Sequence, residues 1–353
     1  MGQKKRKLGM QSLEAKAMMA GDVGVNLSGG VLELSGDNAS NHVNIQQLDA
    51  DSYRVEGLGT SLNGQSTPLT LHGVKTISAD MNGGDDRLSI FGQTKSIQQL
   101  DGDLKIEMGT GNDSVNVDGL WITGDASIVT DESLKSGRPQ GADAVRVDDF
   151  NAWGTLNIST GGGSDDVSIT ADGWTVAYEG FGIDTGQGTK EADNVNLKNV
   201  FTWAGMEVDT SDGADRVTAS NVLVYEGDFD IDTHGGNDSV TVRDSNMDWQ
   251  LTNYNTSLKI NTGSGNDHVV VENVTVRGNV EVSTESGADD VRIFNTHARD
   301  TIFASLGSGD DDLEIGKSSA RSALLHGGSH YKGDDLDEYS NAFAYLNATG
   351  WES

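Results

Sequence analysis

One short pattern recurs through most of the chain: a Gly-rich run, then an Asp, then apolar residues at alternate positions. One copy is Gly109-Thr-Gly-Asn-Asp-Ser-Val-Asn-Val117, and another is Gly263-Ser-Gly-Asn-Asp-His-Val-Val-Val271. Ten copies share the Asp, at Asp86, Asp113, Asp143, Asp165, Asp193, Asp215, Asp238, Asp267, Asp289 and Asp311. The intervals between them are 27, 30, 22, 28, 22, 23, 29, 22 and 22 residues. A period near 22 with a few longer members indicates one structural unit repeated many times, with the extra residues in loops.

The composition favours strands joined by tight turns. Gly accounts for 46 of the 353 residues and Pro for only 2. The segments between the Gly clusters are rich in Val, Ile and Thr, which are common in strands. A chain of this length would ordinarily form two or three domains, but stacked repeats share one elongated core and need no domain boundary.

The copy that starts at Asp215 shows how one repeat folds. Val217 and Ala219 alternate with polar residues, Val222 and Val224 follow a turn, and Phe229 and Ile231 follow another turn. In most copies the apolar residues fall at +2, +4, +7 and +9 from the Asp, and again near +13 and +15. Three short strands per repeat predict an all-β fold, a single-stranded parallel β-helix of about ten to twelve coils with terminal caps.

The irregular copies place the predicted boundaries and excursions. Near the N-terminus, Asn41 stands where the other copies have Asp, which suggests a degenerate first coil. We predict a basic N-terminal targeting or disordered segment at 1–22, an N-terminal cap and first coil at 23–78, the β-helix at 79–321, a C-terminal cap at 322–353, and insertions at 131–140, 187–192 and 244–256.

The charge of the chain excludes several partners. The net charge is −31, and because residues 1–20 carry five basic residues against one acidic residue (+4), the remainder stands at −35. Such a body repels nucleic acid and anionic membrane surfaces and attracts cations. The chain has no Cys, which excludes disulfides and thiolate metal sites. We also predict no transmembrane segment, because no stretch approaches the roughly 18 apolar residues that one requires.

The Gly-Asp copies resemble the RTX nonapeptide, a calcium-binding repeat of parallel β-rolls. RTX repeats recur about every nine residues, whereas these copies recur about every 22 or more. The resemblance implies Ca²⁺ as a cofactor, with the ten motif Asp residues named above as its ligands.

The N-terminal segment Ser12-Leu-Glu-Ala-Lys-Ala-Met-Met-Ala-Gly-Asp22 resembles the LEPR-xLL segment of large exported bacterial repeat proteins. This resemblance implies export, so the expected location is the medium or the outer cell surface.

Stacking gives the motif Asp residues two alternative roles. Equivalent carboxylates in neighbouring coils lie about 5 Å apart, which is unfavourable unless their charge is neutralised. Ca²⁺ takes six to eight oxygen ligands, and the Gly-rich turns supply backbone carbonyls beside the carboxylates. The alternative is that each Asp accepts hydrogen bonds from backbone N–H groups of the turn, with no ion.

Aromatic residues form a second recurring feature. Trp153, Trp203 and Tyr225 each lie ten residues after the motif Asp, and Trp121 lies eight residues after it. Both offsets place the side chain on the outward side of its strand. These rings are therefore expected on one exterior face, where they would bind sugar rings or another protein. The alternative is that insertions such as 131–140 cover this exterior locally.

Two further rows have a structural interpretation. Thr160, Thr185, Thr210, Thr233, Thr262 and Thr284 share inward parity, which favours a buried hydroxyl that satisfies a corner amide. Asp184, Asp209 and Asp232 have outward parity and are expected on a solvated face.

The sequence therefore favours a non-enzymatic secreted or cell-surface β-helix protein. Its expected role is adhesion, surface structure or binding, with a polysaccharide or another surface protein as partner. The alternative is a polysaccharide lyase or glycoside hydrolase, because β-helices also support such enzymes. A hydrolase needs paired carboxylates at one place, whereas the acidic residues of this sequence recur over all coils.

Overall fold

A computed structural model describes residues 21–93, 99–131, 141–186, 191–248, 255–329 and 333–352. Within these ranges the chain forms 35 β-strands and a solenoid of about 11 turns. The predicted all-β parallel β-helix is therefore confirmed. The same ranges contain no helix that is long and apolar enough to cross a membrane. The segment predicted at 1–22 and the insertion at 131–140 lie almost wholly outside the described residues.

Each coil consists of strands that pair in parallel with the equivalent strands of the coils before and after it. Val217 is in register with Val240, and Ile231 with Ile260. The first corner of this coil is a bend at Asn221, whose φ of 53° lies in the left-handed region that Asn tolerates. The result is three ladders of strands along the solenoid.

The strands group by ladder as follows. The first-strand ladder contains His42–Gln47, Arg87–Phe91, Ser114–Asp118, Ala144–Asp148, Asp166–Thr170, the start of Asn194–Thr202 and of Arg216–Val224, Ser239–Arg243, His268–Glu272, Asp290–Phe294, Asp312–Gly316 and Asp335–Tyr339. The second-strand ladder contains Trp121–Ile122, Asn151–Ala152, Thr175–Ala177, the ends of the two long strands just named, Asn246–Met247, Thr275–Val276 and His297–Ala298. The third-strand ladder contains Val31–Ser35, Thr76–Asp80, Leu104–Gly109, Ala126–Asp131, Thr155–Ser159, Gly180–Asp184, Met206–Asp209, Phe229–Asp232, Leu258–Asn261, Val280–Ser283 and Thr301–Ser305. Ser319–His326 and Ala342–Thr349 close the second and third ladders at the C-terminal end.

The apolar positions fill one continuous core. In the Asp215 coil all six predicted inward residues, from Val217 to Ile231, are at most 2% exposed. The predicted inward residues of the Asp267 coil, from Val269 to Val282, are fully buried. The alternation of side chains along each strand therefore identified the inside of the coil correctly.

The central Gly of the motif is required by the close stacking of the turns. Gly265 has φ of 140°, and a Cβ built there would lie 1.3 Å from the carbonyl oxygen of Gly236 in the preceding coil. Only Gly fits such an approach of two backbones.

The N-terminal end differs from the body because its strands pair antiparallel. Asp22–Ser28 pairs antiparallel with Val31–Ser35. His42–Gln47 pairs antiparallel with Ser52–Gly57, which pairs in turn with Leu69–His72. The short strand Ser61–Leu62 adds to the edge of Asp22–Ser28. Antiparallel strands thus cover the open edge of the first coil.

The segment 322–353, which we predict as a C-terminal cap, contains strands that continue the stack. Asp335–Tyr339 and Ala342–Thr349 pair in parallel with the preceding coil, with Leu336 opposite Leu313. These residues therefore form one more coil. Its inward side is only partly covered, because Leu346 is 41% exposed, although Trp351 donates from Nε1 to the Leu325 carbonyl.

Candidate functional site

The ten motif Asp residues form one buried column. Each is at most 2% exposed. In every coil the backbone N–H of the motif Asp donates to Oδ1 of the Asp in the next coil, as from Asp113 to Asp143 and from Asp238 to Asp267, each at 2.8 Å. The column begins at Asn41 and ends at Asp334, which accepts from the Asp311 N–H at 3.1 Å. The carboxylates therefore link successive coils by backbone hydrogen bonds.

The second carboxylate oxygen divides the column into two groups. In five coils Oδ2 accepts from a Thr hydroxyl, as from Thr262 to Asp267 at 2.6 Å. The other four such donors are Thr130, Thr185, Thr210 and Thr233. In the remaining coils Oδ2 is buried without a hydrogen-bond partner, at Asp86, Asp113, Asp165, Asp289 and Asp311.

The Thr row explains part of this division and corrects its predicted role. All six Thr side chains of the row are fully buried, as predicted, but four of them bond a carboxylate and not the predicted corner amide. Met81, Met108 and Leu306 replace Thr in three of the coils whose Oδ2 lacks a partner. Thr284 keeps its hydroxyl but donates to the Leu306 carbonyl.

Burial raises the pKa of these carboxyls. The pKa of Asp113 rises to about 8, first because burial desolvates the charged form and then because neighbouring carboxylates repel it. Burial likewise raises the pKa of Asp165 and of Asp215 to about 7, although the backbone N–H that each carboxyl accepts opposes the rise. Part of the column therefore holds protons at neutral pH, which reduces the repulsion between stacked carboxylates.

This geometry gives the motif Asp residues a role that needs no ion. One oxygen of each carboxylate already accepts a backbone N–H, and the groups are buried. Across the described ranges, no group of three or more His, Asp or Glu side chains is arranged to hold a metal ion. The arrangement thus fits the turn-bonding alternative better than a calcium site, and calcium binding stays a prediction of the sequence.

The aromatic residues form a ladder on the exterior, which we define as Trp153, Tyr178, Trp203 and Tyr225. The Trp153 and Tyr178 rings stack with centroids 4.9 Å apart and planes 13° apart. Tyr178 and Trp203 follow at 6.3 Å and 13°, and Trp203 and Tyr225 at 4.0 Å and 49°. Ring faces therefore point along the solenoid, and most of them are covered by a neighbouring ring.

Tyr178 belongs to the ladder although its distance from the motif Asp does not indicate this. Its coil contains extra residues, Asp172-Gly-Trp174, at the first corner, which move Tyr178 to +13 from Asp165. Counting backward from the third strand would have found it, because Trp153 and Tyr178 each lie two residues before that strand. Trp121 lies on the same exterior side but in the adjacent row, in register with Asn151. Trp249 lies outside the described residues.

Trp153 is the most exposed ring of the ladder. It is 57% exposed although Tyr178 covers one face, so its other face is in solvent. In the preceding coil the equivalent residue is the small Thr123, because Ile122 is in register with Ala152. Trp203 is only 39% exposed and contacts the rings of Tyr178, Tyr225 and Phe201.

A groove follows the third-strand ladder beside these rings. One cavity of about 440 Å³ lies over Ser127, Asn157, Ser159 and Gly182 and continues to acidic residues at Asp184, Glu207 and Asp209. A second cavity of about 340 Å³ continues it and includes Glu207, Asp230, Asp232 and Lys259.

The outward acids form two adjacent in-register rows. Asp184, Asp209 and Asp232 are stacked over three coils, and Glu207 is in register with Asp230. Lys259 contacts Asp228 at 2.5 Å and Asp230 at 3.4 Å. Acidic side chains are therefore concentrated in one part of the groove, whereas the sequence indicated only the row of Asp184, Asp209 and Asp232.

Comparisons with protein families, curated proteins and solved structures found no match. The resemblances to RTX repeats and to the LEPR-xLL segment thus stay at the level of the residues quoted for them.

Proposed function

We propose that this chain is a non-enzymatic β-helix protein of the cell exterior, secreted or held on the outer cell surface. Its role is adhesion or surface structure, and it binds a polysaccharide or another surface protein through the aromatic ladder. The observation that supports binding is a set of large rings that remain on the outside of a fold with a complete core. Exposed aromatic groups on a solenoid are typical of interaction surfaces.

The shape and charge of the molecule agree with this role. A solenoid of about 11 turns presents a long surface on which a ladder and a groove run side by side. The net charge of −31 keeps such a surface soluble and discourages binding of nucleic acid and anionic membranes. The LEPR-xLL resemblance is the reason for placing the protein outside the cell.

The alternative is a glycoside hydrolase or polysaccharide lyase that uses the acidic part of the groove. Glu207 and Asp230 are in-register neighbours with Lys259 nearby, and hydrolases use paired carboxylates. A reducing-end assay and an assay for unsaturated products on a panel of polysaccharides test this alternative. Activity that disappears in Glu207→Gln would replace the non-enzymatic proposal.

A glycan array tests the binding proposal. Wild-type protein is expected to bind a subset of immobilised glycans, and a double variant, Trp153→Ala with Trp203→Ala, is expected to lose that binding. Asp172→Asn is the control, because it changes an exposed corner of another part of the coil. Equal binding by the wild type and the double variant would show that the ladder is not the binding surface.

A further inference from the structure

The free face of Trp153 and the adjacent groove have the features of a sugar-binding site. We infer that this site binds a neutral polysaccharide, with one sugar ring stacked on Trp153 and the following sugars in the groove over Ser127, Asn157 and Ser159. The inference rests on the proposed function and assigns it a site and a ligand class.

Trp153 is the one Trp of the ladder whose geometry leaves a face for a ligand. A sugar ring presents a flat apolar side that packs face to face on an aromatic ring. Trp203 cannot receive it in this way, because neighbouring rings cover it on both sides. Trp153 has Tyr178 on one side only, and in the preceding coil the small Thr123 leaves space above its other face.

The groove beside Trp153 supplies the polar contacts that sugar hydroxyls need. Trp153 lies two residues before the strand Thr155–Ser159, whose outward side chains form part of the groove. Asn157 is exposed and donates from Nδ2 to Thr155 Oγ1 at 3.0 Å, which fixes the orientation of its amide. Gly182 lies next to it without a side chain, and a Cβ there would come within 2.8 Å of Asn157 Oδ1. Uncharged hydroxyl and amide groups thus surround an open floor.

The charge of the surroundings selects the class of polysaccharide. Asp184, Glu207 and Asp209 continue the same groove. Uronate or sulfate groups would meet these carboxylates as like charges, which opposes binding. A neutral chain meets no such repulsion and gains hydrogen bonds to the same oxygen atoms.

Titration calorimetry with soluble hydroxyethyl cellulose and amylose tests the inference, with polygalacturonate as the anionic comparison. We expect the wild type to bind at least one neutral polymer, and at least tenfold more weakly or not at all to polygalacturonate. Trp153→Ala is expected to weaken binding about tenfold, whereas Trp153→Phe retains most of it. Trp174→Ala is the matched control: it removes an exposed Trp at a first corner, outside the ladder, and is expected to change affinity less than twofold. Circular dichroism confirms that each variant is folded.

The outcomes separate this inference from the proposed function. If the wild type binds a neutral polymer but Trp153→Ala binds it equally well, the site is wrong while glycan binding stands. If only polygalacturonate binds, the ligand class is wrong. If the glycan array is also negative for wild-type protein, polysaccharide binding fails as a whole, and a protein partner is the part of the proposed function that is left.

Discussion

The buried Asp column makes a specific prediction about pH. Asp113 is 2% exposed, its Oδ1 accepts the Asp86 N–H at 2.8 Å, and its Oδ2 has no partner. Substitution with Asn keeps an oxygen for the Asp86 N–H and removes the buried charge. Asn41 occupies the same position of the column in the first coil, so the turn accommodates an amide. Asp113→Asn is therefore expected to be more stable than the wild type at alkaline pH.

The size and the pH range of the effect follow from the pKa shift. Burial raises the pKa of Asp113 from 3.8 to about 8. Between these values the folded state holds a proton that the unfolded state has lost, so the free energy of unfolding falls as pH rises. Because one pKa unit corresponds to about 1.4 kcal/mol, this rise in pKa gives a ceiling of about 6 kcal/mol. The contribution of the Asp113 proton to the free energy of unfolding is complete below pH 4 and is almost entirely lost at pH 8.

Urea unfolding at pH 4, 6 and 8, followed by Trp fluorescence, measures this effect. Asp113→Asn and the wild type are expected to agree within about 1 kcal/mol at pH 4, and the variant is expected to be more stable by at least about 2 kcal/mol at pH 8. Asp172→Asn controls for loss of one negative charge at an exposed position. Asp113→Ala removes the acceptor of the Asp86 N–H and is expected to cost about 1–3 kcal/mol at pH 4. If the curves of wild type and Asp113→Asn run parallel from pH 4 to 8, the column does not hold a proton at Asp113.

Three further predictions concern the same turns. Thr262→Val removes the hydroxyl that bonds Asp267 and is expected to lower the free energy of unfolding by about 1.5–3 kcal/mol at pH 7; Thr284→Val, which breaks a bond to a carbonyl instead, is expected to cost less in the same urea titration. Gly265→Ala places a Cβ against backbone and is expected to lower the melting temperature by more than 5 °C, whereas Gly173→Ala, with no atom within 4 Å of its Cβ, is expected to leave it nearly unchanged. Calcium binding is tested by thermal melts in EDTA and after addition of Ca²⁺: the hydrogen-bonded column leads us to expect the same melting temperature in both, and a fall in EDTA that Ca²⁺ reverses would instead establish ions at the turns.

The sequence predicted the solenoid because its periodicity has a direct physical meaning. Side chains alternate across a strand, so Val217, Ala219 and the later apolar residues of the Asp215 coil had to share one side. The recurrence near 22 residues indicated that the apolar side of one coil packs against the apolar side of the next coil. The C-terminal end was less predictable: residues 335–349 lack the complete motif, yet Leu336 opposite Leu313 is enough to continue the stack.

The sites were only partly predictable, because the spacing of residues within one coil does not show which side chains meet between coils. The alternation of side chains along the strand placed Trp153 and Trp203 on the outside. Tyr178 was not found, because its coil contains extra residues that change its distance from the motif Asp. Only the register between strands shows that these rings stack. Likewise, the repeat of the Asp is visible in the sequence, whereas its hydrogen bond to the next coil is visible only in the structure.

The amino-acid sequence alone determined the fold class, the inward residues and the repeated acid, since these depend on alternation and period. The tertiary structure decided which atoms meet across coils: a carboxylate with the next backbone N–H, a Thr hydroxyl with that carboxylate, and one Trp face with solvent. These contacts depend on the register of strands that lie 22 or more residues apart, and a shift of one residue would turn every side chain to the opposite side of its sheet.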